Sequence, residues 1–244
     1  MDGGFEMKAV IAYSHSGDDV KAYDNGMMTK ELHIKGLLAV MNAFNPGHKF
    51  PEIVSTHSFS IMDIENKETR RLAWEVWGRA RILSLFHNAG HQVGAMGAVL
   101  QAMEAAIVME AEYMIFYGDD IIPARIDDAE YRLKRIEETG VDWSSTKFAE
   151  NCPVNTMVFV CKPAVIRPIL DCQAFASRLS DALIKGYVFC IEQYVAQCLT
   201  DTKCKVDITG GGQDYGHVHD PIRLLKELDE YQKRNEKPDD KKSI

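Results

Sequence analysis

One stretch of the chain, residues 87–123, constrains the fold more than any other. It has the sequence HNAGHQVGAMGAVLQAMEAAIVMEAEYMIFYGDDIIP. Apolar residues recur in it at spacings of three and four, which predicts a helix with one buried face; they are Val93, Met96, Leu100, Met103 and Ile107. The unbroken apolar run at 113–117 is typical of a strand covered by helices on both faces of a parallel sheet. Gly118 ends this strand, and two carboxylates follow.

The two carboxylates, Asp119 and Asp120, form a candidate metal site. Ligands of open α/β sheets collect beyond the carboxyl ends of the strands, and adjacent carboxylates suit a hard divalent cation such as Mg²⁺ or Mn²⁺. The alternative is a solvated turn, because Gly-Asp is common turn chemistry. The pair interrupts a hydrophobic run between residues 113–117 and 121–123. This context favours the functional interpretation.

Strands and helices alternate through the first half of the chain. Strands are predicted at residues 8–14, 52–55, 81–86 and 113–117, and helices at 29–44, at 67–80 and around the apolar stripe from Val93 to Ile107. The alternation predicts a single α/β domain with a mostly parallel central sheet flanked by helices. The small polar loop at 15–19 is expected at the same sheet edge as the acid pair. Trp74 and Trp77, three apart on a helix, are expected in the interior.

The second half has fewer clear signals. An exposed helix of mixed charge is predicted at 127–138, and the remaining elements are a strand at 155–161, helices at 164–170 and 187–199, and a strand at 204–208. The helix at 187–199 is apolar except for Glu192. His217 and His219 alternate like strand residues and so face opposite ways, which leaves at most one as a metal ligand. We expect the charged tail, 229–244, to fray and the domain to cover 1–228.

Charge and composition exclude several classes of protein. The chain has 28 basic and 36 acidic residues, a net charge of −8, which gives no basic surface for general binding of nucleic acids or anionic membranes. No apolar run is long enough to span a membrane, and the first residues lack the features of a signal peptide, so a cytoplasmic location is expected. The six cysteines contain no C-x-x-C pair, and hence indicate no zinc ribbon.

Together these motifs resemble the nucleotide-sugar-dependent glycosyltransferases of the GT-A fold, with a family 2-like pattern. The matching features are a first strand ending in small polar residues, N-x-G before a long helix, the Asp-Asp pair, an acid on a later helix and a late histidine, spread over about residues 8–221. The resemblance implies a Rossmann-like GT-A domain. It also implies transfer of a sugar from a nucleoside diphosphate sugar to a hydroxyl of an unidentified acceptor, with Mn²⁺ or Mg²⁺ as cofactor.

The resemblance also implies a metal site. Asp119 and Asp120 would bind the cation that bridges to the diphosphate of the donor, and His217 or His219 would supply the late metal ligand. This chain has Gly-Asp-Asp where Asp-x-Asp is commoner, which leaves open which aspartate binds the metal directly.

For the donor and the acceptor, the resemblance implies further residues. Tyr13 and Ser14 would lie near the base and ribose, and the phosphates or sugar would lie near Asn88, Gly90 and His91. His91 has an alternative role in capping the helix.

Glu192 would be the carboxylate that deprotonates the acceptor hydroxyl, as in inverting members. The family's acid pair on this helix appears here as Glu192-Gln193. A glutamate that faces solvent is the alternative interpretation.

Three other functions share parts of the pattern. A sugar-phosphate nucleotidyltransferase would need the same layout and Mg²⁺, but the glycine-rich, arginine-bearing loop of that family is absent after the first strand. A template-dependent polymerase also uses Gly-Asp-Asp, but this chain is short and acidic and lacks a basic channel. A non-catalytic module that binds a nucleotide sugar on the same scaffold is the third.

Overall fold

The computed structural model describes residues 8–15, 30–57, 66–85, 91–122, 125–147, 154–208, 216–217 and 221–235. The strands in this part are β1 Ala9–His15, β2 Glu52–Thr56, β3 Ala80–Ser84, β4 Tyr113–Gly118, β5 Ile121–Ile122, β6 Trp143–Ser145, β7 Val158–Cys161, β8 Val206–Ile208 and β9 Gly216–His217. The helices are α1 Lys30–Phe44, α2 Lys67–Arg79, α3 His91–Val108, α4 Asp128–Thr139, α5 Pro163–Ile166, α6 Cys172–Lys185, α7 Ile191–Asp201 and α8 Pro221–Asn235.

Seven of the described strands form a central sheet in the order β3-β2-β1-β4-β7-β6-β8, and β5 pairs with β9 in a small second sheet. The strands from β3 to β4 are parallel, β7 is antiparallel to both β4 and β6, and β8 is parallel to β6. All strands of the central sheet except β7 therefore point the same way. The predicted α/β fold with a mostly parallel sheet is confirmed.

Helices cover both faces of the sheet and divide the core in two. On one face α1, α2, α4 and α8 pack against Ile11, Tyr13 and Ile115. On the other, α3 and α5 to α7 pack against Val10 and Ala12. Every residue of β4 is buried, because helices lie on both sides of it. This is why the strand is apolar without alternation.

Two tryptophans lie where the sequence did not predict them. Trp74 and Trp77 are 59% and 38% exposed, so their assignment to the interior is wrong. Helix α2 instead buries its stripe of Leu72, Ala73 and Val76. The two indole rings lie off that stripe and contact each other, with 6.0 Å between ring centroids.

Trp74→Ala is expected to lower the free energy of unfolding by less than about 1 kcal/mol, since the ring is mostly in solvent already. Val76→Ala, on the same helix but fully buried, should cost about 1.5–3 kcal/mol. Urea unfolding of both variants measures the difference. A larger loss for Trp74→Ala than for Val76→Ala would contradict this placement of the helix.

Several elements differ from the sequence prediction; among them, the helix predicted at 187–199 begins only at Ile191. Helix α6 was not predicted, although Asp171 caps its start by accepting from the Gln173 and Ala174 amides and Gly186 ends it in a left-handed conformation. Strand β6 is too short for its pattern to be recognised. Helix α8 continues to Asn235, beyond the point where fraying was expected. The reason is that Tyr231 extends the buried stripe of Leu224 and Leu228. None of the described helices is both long and apolar enough to cross a membrane.

Candidate functional site

The ends of β1 and β4 form the centre of the candidate site. Ser14 pairs with Gly118 across these parallel strands, so the next residues, His15 and Asp119, lie side by side. His15 Nδ1 and Asp119 Oδ2 are 2.5 Å apart, and the His15 side chain is fully buried. The sequence prediction included residue 15 only in a polar loop. One signal in the sequence could have identified His15. It lies at the end of a strand that is parallel to the strand carrying the acid pair.

The acid pair lies in the turn between β4 and β5. Gly118 donates its amide hydrogen to Met157 O at 2.9 Å, and a Cβ at this position would lie 2.6 Å from Met157 Cε and 3.1 Å from Asp120 Oδ1. The glycine therefore lets the start of β7 and the Asp120 carboxylate approach the end of β4 closely. Asp119 and Asp120 are both partly buried. The pair is in a turn, as the alternative interpretation required, but it is not fully solvated.

Strand β9 brings a histidine of the late segment to the same place. Ile121 pairs with His217, so the His217 backbone lies beside the residue that follows Asp120. His219 lies outside the described residues. Two carboxylates next to a histidine-bearing strand are ligand types that fit Mn²⁺ or Mg²⁺. Among the described side chains, however, no three of His, Cys, Asp or Glu are grouped closely enough to hold a metal ion, so further ligands would have to come from other groups.

The residues expected around the donor differ in burial: Tyr13 lies in the core, whereas Ser14 is partly exposed. The Tyr13 side chain is fully buried, with its ring stacked on that of Tyr117 at 6.3 Å between centroids, and burial raises its pKa well above the ordinary value. Tyr13 is thus a neutral core residue, whereas Ser14 at the sheet edge is partly exposed. His91 is the first residue of α3. Asn88 and Gly90 lie outside the described residues.

Glu192 is connected to this sheet edge by a hydrogen bond from Thr156, which lies just before β7. It lies in the first turn of α7, is 8% exposed, and accepts hydrogen bonds from Thr156 Oγ1 at 2.9 Å and Cys190 Sγ at 3.1 Å. Thr156 precedes Met157, whose carbonyl binds Gly118. The interpretation of Glu192 as a solvent-facing residue is therefore wrong. The positive end of the helix dipole also favours a carboxylate here.

A buried network of hydrogen bonds fixes the end of β4, directly before the acid pair. Tyr117, just before Gly118, donates from its hydroxyl to Asp128 Oδ2 at 2.6 Å, and Arg132 Nε donates to the same oxygen at 3.1 Å. Asp128 and Arg132 are buried, although the sequence predicted α4 to be exposed. The network ties the end of β4 to α4.

Comparison with known proteins identifies the fold. No protein-family model and no curated protein sequence matches the chain, but solved structures do. A structure described as a nucleotide-diphospho-sugar transferase, from Desulfovibrio desulfuricans G20, matches with a TM-score of 0.52 at 10% identity, over 93% of this chain and 98% of the other. The chain has a nucleotide-diphospho-sugar transferase-like fold.

Two further structures show that nucleotidyltransferases and glycosyltransferases share this fold. The 4-diphosphocytidyl-2C-methyl-D-erythritol synthase of Anaerococcus prevotii DSM 20548 has a TM-score of 0.51 at 11% identity and matches over 93% of this chain and 96% of its own. A mannosyltransferase of Pyrobaculum calidifontis, solved with GDP-Man and Mn²⁺, has a TM-score of 0.50 at 11% identity and matches over 83% of this chain. The match spans only 54% of the mannosyltransferase. The resemblance seen in the sequence is thus confirmed at the level of the fold.

Proposed function

We propose that the chain is a metal-dependent glycosyltransferase that moves a sugar from a nucleoside diphosphate sugar to a hydroxyl of an acceptor. One observation carries the proposal. The partly buried acid pair, with Asp119 bonded to His15, and the buried Glu192 are connected to the same end of β4. Glycosyl transfer needs both kinds of group: anionic oxygens that hold a cation at the leaving diphosphate and a base for the acceptor.

On the donor side, Asp119 and Asp120 would hold the Mn²⁺ or Mg²⁺, together with a histidine of the β9 segment, His217 or His219. When bound, the cation stabilises the negative charge that develops on the leaving diphosphate. His15 orients the Asp119 carboxylate, as outer hydrogen-bond partners of metal ligands commonly do.

Helix α3 would bind the phosphates of the donor. The first amides of a helix have no partners within it and attract anions, and α3 begins at His91. Asn88 and Gly90 immediately precede it in the sequence. Ser14, partly exposed at the end of β1, would face the nucleoside, whereas the buried Tyr13 ring would only support this strand.

On the acceptor side, Glu192 would take the proton of the hydroxyl that attacks the sugar. Hydrogen bonds from Thr156 and Cys190 hold its carboxylate in one orientation. A base fixed in this way acts without first losing rotational freedom. Direct attack by the acceptor corresponds to the inverting mechanism.

Nucleotidyl transfer is the second candidate, because the cytidylyl-type synthase of Anaerococcus prevotii matches nearly along its whole length. The products separate the two reactions. Glycosyl transfer releases a nucleoside diphosphate, whereas nucleotidyl transfer from a nucleoside triphosphate to a sugar phosphate releases diphosphate. A non-catalytic binding module would release neither, even on prolonged incubation of the donor with Mn²⁺ and no acceptor.

Asp120→Asn is expected to weaken Mn²⁺-dependent binding of a nucleoside diphosphate sugar by at least about tenfold, because a neutral amide is a weaker ligand of a hard cation. The measurement is a thermal-shift titration with GDP-mannose and UDP-glucose, each with and without Mn²⁺, since a bound ligand raises the melting temperature. Asp229→Asn, the same charge change at an exposed site on α8, is the control. An undiminished Mn²⁺-dependent shift in Asp120→Asn would refute the metal assignment.

A further inference from the structure

Four large apolar side chains are exposed within six consecutive residues, at the turn between α6 and α7. They are Leu183 (74% exposed), Ile184 (84%), Tyr187 (49%) and Val188 (92%), and we call them the α6–α7 tip. The turn is well defined, because Gly186 adopts φ 72° and the Tyr187 amide donates to Ala182 O at 3.1 Å. Exposed apolar patches of this kind mark binding surfaces.

The tip adjoins the candidate site. Helix α6 packs against α3, and Gln92, in the first turn of α3, donates to Phe189 O at 3.4 Å. The chain then passes through Cys190 to Glu192. Val188 precedes Glu192 by four residues, and four residues of extended chain span at most about 14 Å. The Cα atoms of Val188 and Glu192 are therefore at most about 14 Å apart, a distance that one small molecule can span.

Charge and size argue against two other occupants of the tip. Lys185 pairs with Asp181 at 2.8 Å, so the tip has no basic surplus to attract an anionic membrane. A stable interface with a second copy buries about 800 Å² on each partner, from about 20 or more residues, and four side chains fall far short of this. A small apolar group matches the small size of the α6–α7 tip and its lack of net charge.

We propose that the tip binds an apolar group of the acceptor, so that the acceptor is an amphiphile: an alkyl or aryl group within about 14 Å of the hydroxyl that is glycosylated. The proposal rests on the proposed role of Glu192 as the base. The acceptor hydroxyl meets Glu192, and its apolar group lies on Leu183 and Val188. Burial of that group supplies affinity that hydroxyl groups alone do not provide.

The test compares n-octyl β-D-glucoside, below its micellar concentration, with methyl β-D-glucoside, which has the same free hydroxyls. Isothermal titration calorimetry should show the octyl compound binding at least about tenfold tighter to the unmodified protein. The double variant Leu183→Ser/Val188→Ser should lose this preference. Val108→Ser, also at a position 74% exposed but at the other end of α3, should keep it. An unchanged preference in the double variant, or an equal loss in Val108→Ser, overturns the proposal.

Two further measurements separate this proposal from the glycosyltransferase assignment. Mn²⁺-dependent binding of the donor, measured on the same samples, should be unaffected in the double variant. Donor binding without any octyl preference would overturn the acceptor proposal and leave the assignment intact, whereas octyl binding without donor binding would count against the assignment. If the double variant instead changes only vesicle binding or the oligomeric state, the tip binds a membrane or a second copy, and the acceptor proposal is wrong.

Discussion

Glu192→Gln is expected to reduce turnover by about two to four orders of magnitude, with donor binding nearly unchanged. Glutamine keeps the shape of the side chain and can still accept from Thr156 Oγ1, which is 2.9 Å from the present carboxylate. It cannot take up the acceptor proton. Steady-state kinetics, thermal-shift binding of the donor and the melting temperature, all measured on one preparation, separate these effects.

Two variants of Thr156 provide the matched control. Thr156→Ser keeps the hydroxyl that donates to Glu192, whereas Thr156→Val keeps the shape and removes the donor. The valine variant should lower kcat by about tenfold and leave the KM for the donor unchanged, and the serine variant should restore most of the rate. If Glu192→Gln instead lowers the melting temperature and keeps its turnover per folded molecule, Glu192 is structural. A retaining mechanism, which needs no such base, would then gain support.

Asp128→Ala is expected to lower the free energy of unfolding by about 3–5 kcal/mol, because it removes the carboxylate that pairs with a buried cation. Arg132 Nε lies 3.1 Å from Asp128 Oδ2, and both side chains are at most 5% exposed. Tyr117 also loses its hydrogen bond to Asp128 Oδ2. Tyr231 is neutral in the unmodified protein, since burial, aided by Asp128 and Asp127, raises its pKa to about 12.

The neighbouring Asp127 gives the control for this prediction. Its side chain is about half exposed and pairs with Arg125, so Asp127→Ala should cost less than about 1 kcal/mol. Urea unfolding of the two variants measures the difference directly. Equal losses would show that the contacts of Asp128 with Arg132 and Tyr117 contribute little to stability.

The sequence predicted the fold class and the location of the acid pair correctly, because both depend on local patterns. Three-and-four spacing identified α3, and the unbroken apolar run identified β4. Since parallel strands end at one sheet edge, the carboxylates after Gly118 were expected beside the end of β1, where Ser14 pairs with Gly118. Trp74 and Trp77 were misplaced because their spacing matches a helix face, and spacing alone does not show which face is buried.

Composition, periodicity and turn residues by themselves determined an α/β domain with the Asp119–Asp120 pair at the end of a buried strand. Only the tertiary structure decided which distant groups meet: His15 with Asp119, Thr156 with Glu192, and Tyr117 with Asp128 and Arg132. These partners come from different elements, and strand order and helix packing bring them together. Local patterns report the preferred backbone conformation and which residues share one face of an element. Contacts between distant side chains depend on strand register and on the packing of each helix, which no single segment contains.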